Sequence, residues 1–184
     1  VLVAGNEEYV RDFCASHERA RALITTQEIG MDEHPAEAVR SKKDSSIVRA
    51  CAAVKAGEAD GFFSAGSTGA ILTAATLGIG RIRGIKRPAI SAIFPGRNGH
   101  QTVFLDMGAN ADLRPEMIVQ FARMGAAYAH VALGTTQARV GLLSNGEEDT
   151  KGSEVVLAYH AALREGLQQD SACTFMGNCE GTDI

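Results

Sequence analysis

The sequence predicts an α/β fold, a three-layer α/β/α sandwich on a mixed, mostly parallel sheet. Apolar runs of strand length alternate with segments of helical period along the whole chain. Several of these runs end in glycine-bearing polar loops that feed a helix, as strands do in open parallel sheets. Two adjacent apolar runs, residues 89–94 and 101–105, are joined by Pro95-Gly96-Arg97-Asn98-Gly99-His100, which reads as a hairpin and makes the sheet mixed.

Residues 1–5 read as the first strand. A helix is expected from Glu7 to about Arg19, with Asn6 as cap and Tyr9, Val10, Phe13, Cys14 and His17 on one face. Ala22 to Thr25 form a second short strand. Residues 27–44, QEIGMDEHPAEAVRSKKD, carry no apolar period and read as a long loop of the kind that is functional or mobile. A helix over Ser45–Ala56 turns Ile47, Val48, Ala50, Cys51 and Val54 inward and stops at Gly57.

Ala59 to Ser64 read as a strand that runs through a small-residue loop into a helix over Ala70–Gly80. After the hairpin, Pro115 sits where first-turn prolines are tolerated, and Ile118, Phe121, Ala122, Gly125, Tyr128 and Ala129 mark one amphipathic stripe. Strands over Arg139–Ser144 and Ser171–Met176 flank a helix over Glu154–Leu167, capped by Ser153, and residues 177–184 read as a terminal loop. The expected organisation is a single α/β domain over residues 1–184. Because the chain starts within a strand and stops in a loop, it is expected to be incomplete at both ends.

The 184 residues, 45% hydrophobic and 22% charged, suit an ordinary globule with a sizeable core. A net charge of -4 argues against nucleic-acid binding through the whole surface. Cys14, Cys51, Cys173 and Cys179 form no CxxC pair and no zinc-spaced cluster, so reduced thiols and a cytoplasmic location are expected, with no metal. No apolar run approaches the roughly 18 residues that span a bilayer, and no charged-then-apolar leader is expected.

Three strand-end loops carry the candidate chemistry: SAGSTG (64–69), DMGAN (106–110) and SNGEEDTKG (144–152). Each brings backbone N–H groups and short polar side chains to a helix start, which builds an anion site without a dedicated cation. Each alone also fits a simple tight turn; three together point to a phosphate or acyl-phosphate ligand. None matches the nucleoside-phosphate or dinucleotide glycine patterns, and no G-x-S-x-G nucleophile elbow occurs.

The polar candidates on these loops are Asp106, Asn110, Asn145, Glu147, Glu148 and Lys151. Glu147, Glu148 and Asp149 also fit a solvated loop or helix-start charge, whereas Lys151 has an evident use beside a phosphate. Arg40, Lys42 and Lys43 in the long stretch fit either an anionic substrate or an exposed polar linker. Arg81, Arg83, Lys86 and Arg87 fit either cations favoured at a helix C-terminus or a docking patch for an acidic protein.

Six segments in order, MDEHPAEAVRSKKDSS (31–46), SAGSTGA (64–70), RPAI (87–90), DMGAN (106–110), LLSNGEEDTKG (142–152) and GNCEGTDI (177–184), resemble the bacterial phosphate acyltransferases of phospholipid synthesis. The family's usual SAGNTGA and GNVEGRDI are replaced here at Ser67, Cys179 and Thr182, the last change removing a cation. The resemblance implies a fold like that of phosphotransacetylases and isocitrate-type dehydrogenases, a homodimer, peripheral membrane association and no cofactor. It implies acyl-carrier protein and inorganic phosphate as substrates, and glycerol-3-phosphate acyltransferase as the downstream enzyme.

In the implied reaction, phosphate attacks the thioester carbonyl and expels a thiol, so no enzyme nucleophile is required and catalysis rests on orientation and charge stabilisation. The roles that follow give phosphate to Gly66, Ser67, Thr68, Gly69 and Lys151, with Arg40 and Lys43 as further anion contacts. Asn110 and Asn145 are expected to donate to the oxyanion or phosphate, Asp106 and Glu147 to orient them, and Arg81, Arg83, Lys86 and Arg87 to dock the carrier protein. An enzyme acting on a coenzyme A thioester and a non-catalytic scaffold for carrier protein are the alternatives.

Overall fold

In the computed structural model, strand β1 (Leu2–Gly5) runs parallel to β2 (Arg21–Ile24), in register from Leu2 opposite Arg21 to Gly5 opposite Ile24. The structure describes the chain except residues 97, 98, 111 and 184, so the hairpin residues Arg97 and Asn98 and the final Ile184 lie outside the described residues. The chain forms two compact units, Val1–Gly84 and Ile85–Ile184.

In the first unit, helix α1 (Glu7–Ala15) connects the parallel pair, with Asn6 Oδ1 accepting from Glu8 N at 3.0 Å as the expected cap. The helix ends four residues earlier than the periodicity predicts. Ser16 Oγ donates back to Phe13 O at 3.0 Å and His17 Nδ1 lies 2.8 Å from the same carbonyl, with its ring stacked on Phe13, so side chains take over where the next helical bonds would form. Of the predicted stripe only Val10 is buried.

The polar stretch 27–44 contains a helix the sequence reading missed, α2 (Pro35–Ser41), with Pro35 in its first turn and Ala38 and Val39 buried. Two apolar side chains give no readable period, yet they suffice to seat one short helix. Around it, Asp44 accepts from Thr26 N and Oγ1 and from Arg49, while Lys42 Nζ donates to Glu28 O and to Glu33 at 2.6 Å.

Helix α3 (Ser46–Lys55) and α4 (Thr68–Ala74) complete this unit's core: Val39, Ile47, Cys51, Ala70 and Ala74 pack together, with Phe62, Ile71 and Ile79 against them. The strand predicted over 59–64 does not form, since these residues join no ladder among the described residues. Phe62 alone packs on the core cluster and Phe63 is 93% exposed, so the run buries too little to behave as a strand. α4 continues as a single π-helical turn, Ala75–Ile79, ended by Gly80 at φ +103°.

In the second unit, β3 (Ser91–Pro95) and β4 (Gln101–Leu105) make the predicted antiparallel hairpin, with Phe94 edge-on to Phe104 at 4.8 Å. Helix α5 (Pro115–Leu133) starts on its proline and ends at Gly134 in the left-handed region, burying Met117, Phe121, Ala126 and Ala129; Tyr128 of the predicted stripe is exposed. Strands β5 (Ala138–Leu143) and β6 (Cys173–Cys179) pair in parallel across helix α6 (Glu154–Gly166).

The core of this unit is Ala126, Ala138, Leu142, Leu163, Leu167 and Cys173. β6 runs three residues further than predicted, because a bulge leaves Met176 unpaired and Gly177, at φ +100°, re-enters the ladder opposite Gly141. The strand pairing is therefore mixed and mostly parallel, as the alternation of elements implies.

Candidate functional site

The loop after β4 is organised by one carboxylate. Asp106 Oδ1 accepts from Ile90 N at 2.8 Å and Ala109 N at 3.1 Å; Oδ2 accepts from Asn110 N at 2.8 Å and Asn110 Nδ2 at 3.0 Å. Asn110 Nδ2 also donates to Pro88 O at 2.9 Å. The RPAI and DMGAN motifs are thus one structure, and the half-buried Asp106 is its hub. Both amide hydrogens of Asn110 are used, on Pro88 O and Asp106 Oδ2.

The loop after β5 is tied to the end of β6. Ser144 N donates to Cys179 O at 2.8 Å, and Asn178 Nδ2 donates to Glu148 O at 2.8 Å. Asn178, from the GNCEGTDI motif, is a residue the sequence reading did not single out; only the pairing of β6 beside β5 brings it to the loop. Asn145 Oδ1 accepts weakly from Ser144 Oγ at 3.5 Å, so its amide hydrogens remain without a partner among the described residues.

Gly146 is buried because the stem of Lys151 lies across it. A Cβ at residue 146 would sit 2.7 Å from Lys151 Cγ. Gly152, at φ +105°, closes the loop against Val156, and Ser153 caps α6 by accepting from Val156 N at 3.4 Å. Glu147, Glu148 and Lys151 are exposed.

Asp149 differs from its acidic neighbours. It accepts from Arg164 Nη2, and its Oδ1 stands 3.1 Å from Nε2 of the buried His160, out of hydrogen-bond alignment. The Arg164 guanidinium holds the Asp149 carboxyl below its ordinary range. Two open concavities in this unit lie beside α6: one of about 390 Å³ is lined by Arg123, Asp170 and neighbours, and one of about 230 Å³ by Asp149, Arg164 and Phe175. Neither is lined by Asp106, Asn110, Asn145 or Lys151.

The third loop belongs to the first unit. Ser64 Oγ accepts from Gly66 N at 3.1 Å, and the buried Ser67 caps α4 by accepting from Ala70 N at 3.4 Å. Gly69 is required by close approach, since a Cβ there would stand 2.7 Å from Pro35 Cγ at the start of α2. The 31–46 and 64–70 motifs are thereby packed on one another. Lys43 Nζ donates to Val39 O at 3.1 Å, whereas the exposed Arg40 has no side-chain partner among the described residues.

Arg81, Arg83, Lys86 and Arg87 are all exposed and follow the end of the π-helical turn, with Lys86 N donating to Gln120 Oε1 at 2.7 Å. Burial raises the thiols of Cys51, Cys173 and Cys179, and all four cysteines are free. Among the described residues no helix is long and apolar enough to cross a membrane.

The fold is that of the phosphotransacetylases. The chain superposes on the EutD phosphotransacetylase from Staphylococcus aureus with a TM-score of 0.60 at 18% identity, covering 97% of this chain and 60% of that one. A branched-chain phosphotransacylase from Enterococcus faecalis V583 gives a TM-score of 0.56 at 13% identity, with 98% and 68% covered.

Residues 1–184 match the model of the fatty acid synthesis protein family, and the chain belongs to that family. It is similar to the phosphate acyltransferase of Desulfitobacterium hafniense (strain Y51), 47% identical over 187 residues that cover 100% of this chain and 54% of the relative. That of Pelotomaculum thermopropionicum is 48% identical over 189 residues, covering 100% and 53%, and that of Limosilactobacillus reuteri (strain DSM 20016) 43% over 184, covering 98% and 52%. The chain spans about half the length of these curated relatives. The resemblance carried by the six ordered segments is thereby borne out.

Proposed function

We propose that this chain carries the transfer of an acyl group to inorganic phosphate in fatty acid and phospholipid synthesis, with acyl-[acyl-carrier-protein] as donor. The observation that carries the reading is the match of 98–100% of this chain to about half the length of relatives named phosphate acyltransferase. The fold shared with phosphotransacetylases supports the same class of chemistry. As part of this reading the protein acts in the cytoplasm as a homodimer, peripherally at the membrane, and hands acyl phosphate to a glycerol-3-phosphate acyltransferase.

A phosphate oxygen attacks the thioester carbonyl carbon, the carbonyl becomes a tetrahedral oxyanion, and its collapse breaks the carbon–sulfur bond. Acyl phosphate and a free thiol result. Lys151 neutralises phosphate, and Asn145, whose amide hydrogens have no partner among the described residues, donates to the oxyanion or to phosphate. Asp106 and Asn110 fix the 106–110 loop, so Asn110 serves by orientation more than by donation. Glu147 orients a neighbouring donor or water. Gly66, Ser67, Thr68 and Gly69 offer a further anion-binding loop, with Arg40 and Lys43 as nearby cations in sequence, and Arg81, Arg83, Lys86 and Arg87 receive the acidic carrier protein.

The test is phosphate-dependent thiol release by the whole protein and its Asn145→Ala and Lys151→Ala variants. Loss of one preorganised donor is expected to lower turnover by about 10²-fold. Unchanged turnover in both variants would remove these residues from the site. Faster release from a coenzyme A thioester than from the carrier-protein thioester would move the donor to coenzyme A.

A further inference from the structure

We infer that Asp149, bonded to Arg164 and set against the buried His160, is a positioning residue that holds the 144–152 loop in its working shape. The inference rests on the transfer reading above for its kinetic consequence, but its geometry stands alone. Of the loop's charged side chains, Glu147, Glu148, Asp149 and Lys151, only Asp149 has an ion-pair partner among the described residues.

Its partners are not at the N-terminus of α6, where a helix-start acid would act. They are His160 and Arg164, one turn apart on the same face in the middle and last turns of that helix. His160 is buried and its ring is set edge-on to Phe175 of β6 at 5.1 Å, so it is a fixed post within the core. The carboxylate is bonded to Arg164 and backed by the fixed His160 ring 3.1 Å away, a backing that a lone surface pair lacks.

The position of the clamp within the loop gives it leverage. Glu148, next to Asp149, is held through its carbonyl by Asn178 from β6 and by Lys151 N at 2.9 Å. The two anchors thus pin residues 148 and 149 to different elements, α6 and β6. Asn145 and Lys151 stand on either side of that pinned pair; among the described residues the Asn145 side chain has only the weak Ser144 contact and the Lys151 ammonium has no partner, its stem resting on Gly146. Releasing Asp149 therefore leaves both polar groups present but loosely placed. Asp149 and Arg164 are both exposed, so their pairing adds little to the stability of the whole fold. Its effect belongs to the loop.

The experiment uses the whole protein and the variants Asp149→Ala, Arg164→Gln and Arg164→Lys. It records phosphate-dependent thiol release against phosphate concentration, amide hydrogen exchange over residues 145–152, and the melting temperature. For Asp149→Ala, KM for phosphate is expected to rise about tenfold, with faster exchange confined to the loop. Its melting temperature stays within about 2 °C of the parent. Arg164→Gln shows the same direction, and Arg164→Lys restores the parent behaviour.

Parent-like KM and loop exchange in both Asp149→Ala and Arg164→Gln would overturn the inference. So would exchange accelerated across the unit together with a fall in melting temperature, which would make the cluster merely structural. If the parent itself shows no phosphate-dependent release, the transfer reading fails, while loop exchange still decides whether the clamp exists.

Discussion

Asp106 shows how one side chain fixes a polar loop. Its two oxygens satisfy three backbone N–H groups and one side-chain amide, and they join segments 16 residues apart in sequence. Asp106→Ala takes this partner from the three half-buried backbone donors, at a cost of about 1–3 kcal/mol for the first group orphaned. Urea denaturation of the parent and variant measures it, and a midpoint unchanged by the substitution would contradict the hub role. DMGAN after an apolar run marks Asp106 and Asn110 in the sequence as polar groups of a strand-end loop. That Asn110 spends its hydrogens on Pro88 O and Asp106 was not legible there, because it depends on β3 lying beside β4. Asn178 was illegible for the same kind of reason: only strand register brings it beside Glu148.

Elements were legible where periodicity was long and hidden where it was short. The hairpin, α5 with its proline start, and α6 with its serine cap follow from patterns of ten residues or so. α2 buries only Ala38 and Val39, and the run at 59–64 has strand-like composition without a ladder partner among the described residues. Composition reports what a segment prefers and packing decides what it does. The contact between α2 and the 64–69 loop gives a prediction at this scale. Gly69→Ala drives a methyl group to 2.7 Å from the Pro35 ring, which cannot swing aside as a flexible side chain would. Overpacking of this kind costs about 1–3 kcal/mol. Gly61→Ala, with open space at its Cβ, serves as the control: thermal melts that place the two variants together would contradict the packing.

For the whole molecule, several carboxylates are held below their ordinary values: Asp44 by the Thr26 hydroxyl and then its amide, Glu33 by Lys42, Asp149 by Arg164 and Asp170 by Arg123. A depressed folded-state value means that the stabilisation is complete above the unfolded value, 3.8 for the aspartates and 4.5 for Glu33, and is lost as pH falls through the folded one. Stability is therefore expected to fall on acidification below about pH 4.5, and Asp44→Asn to flatten that fall. Melting curves between about pH 3 and 7 check it; a parent whose melting temperature does not drop across the acid limb would contradict the assignment.

At the same scale, the three loops point to a phosphate or acyl-phosphate ligand, the resemblance of the six segments implies acyl transfer to phosphate, and the family match spans the same 184 residues. The most direct measurement incubates the whole protein with an acyl-[acyl-carrier-protein] thioester, with and without inorganic phosphate, and follows free thiol. Release that depends on phosphate and yields acyl phosphate is the predicted result. Thiol release that is absent, or equal without phosphate, would contradict the proposed function.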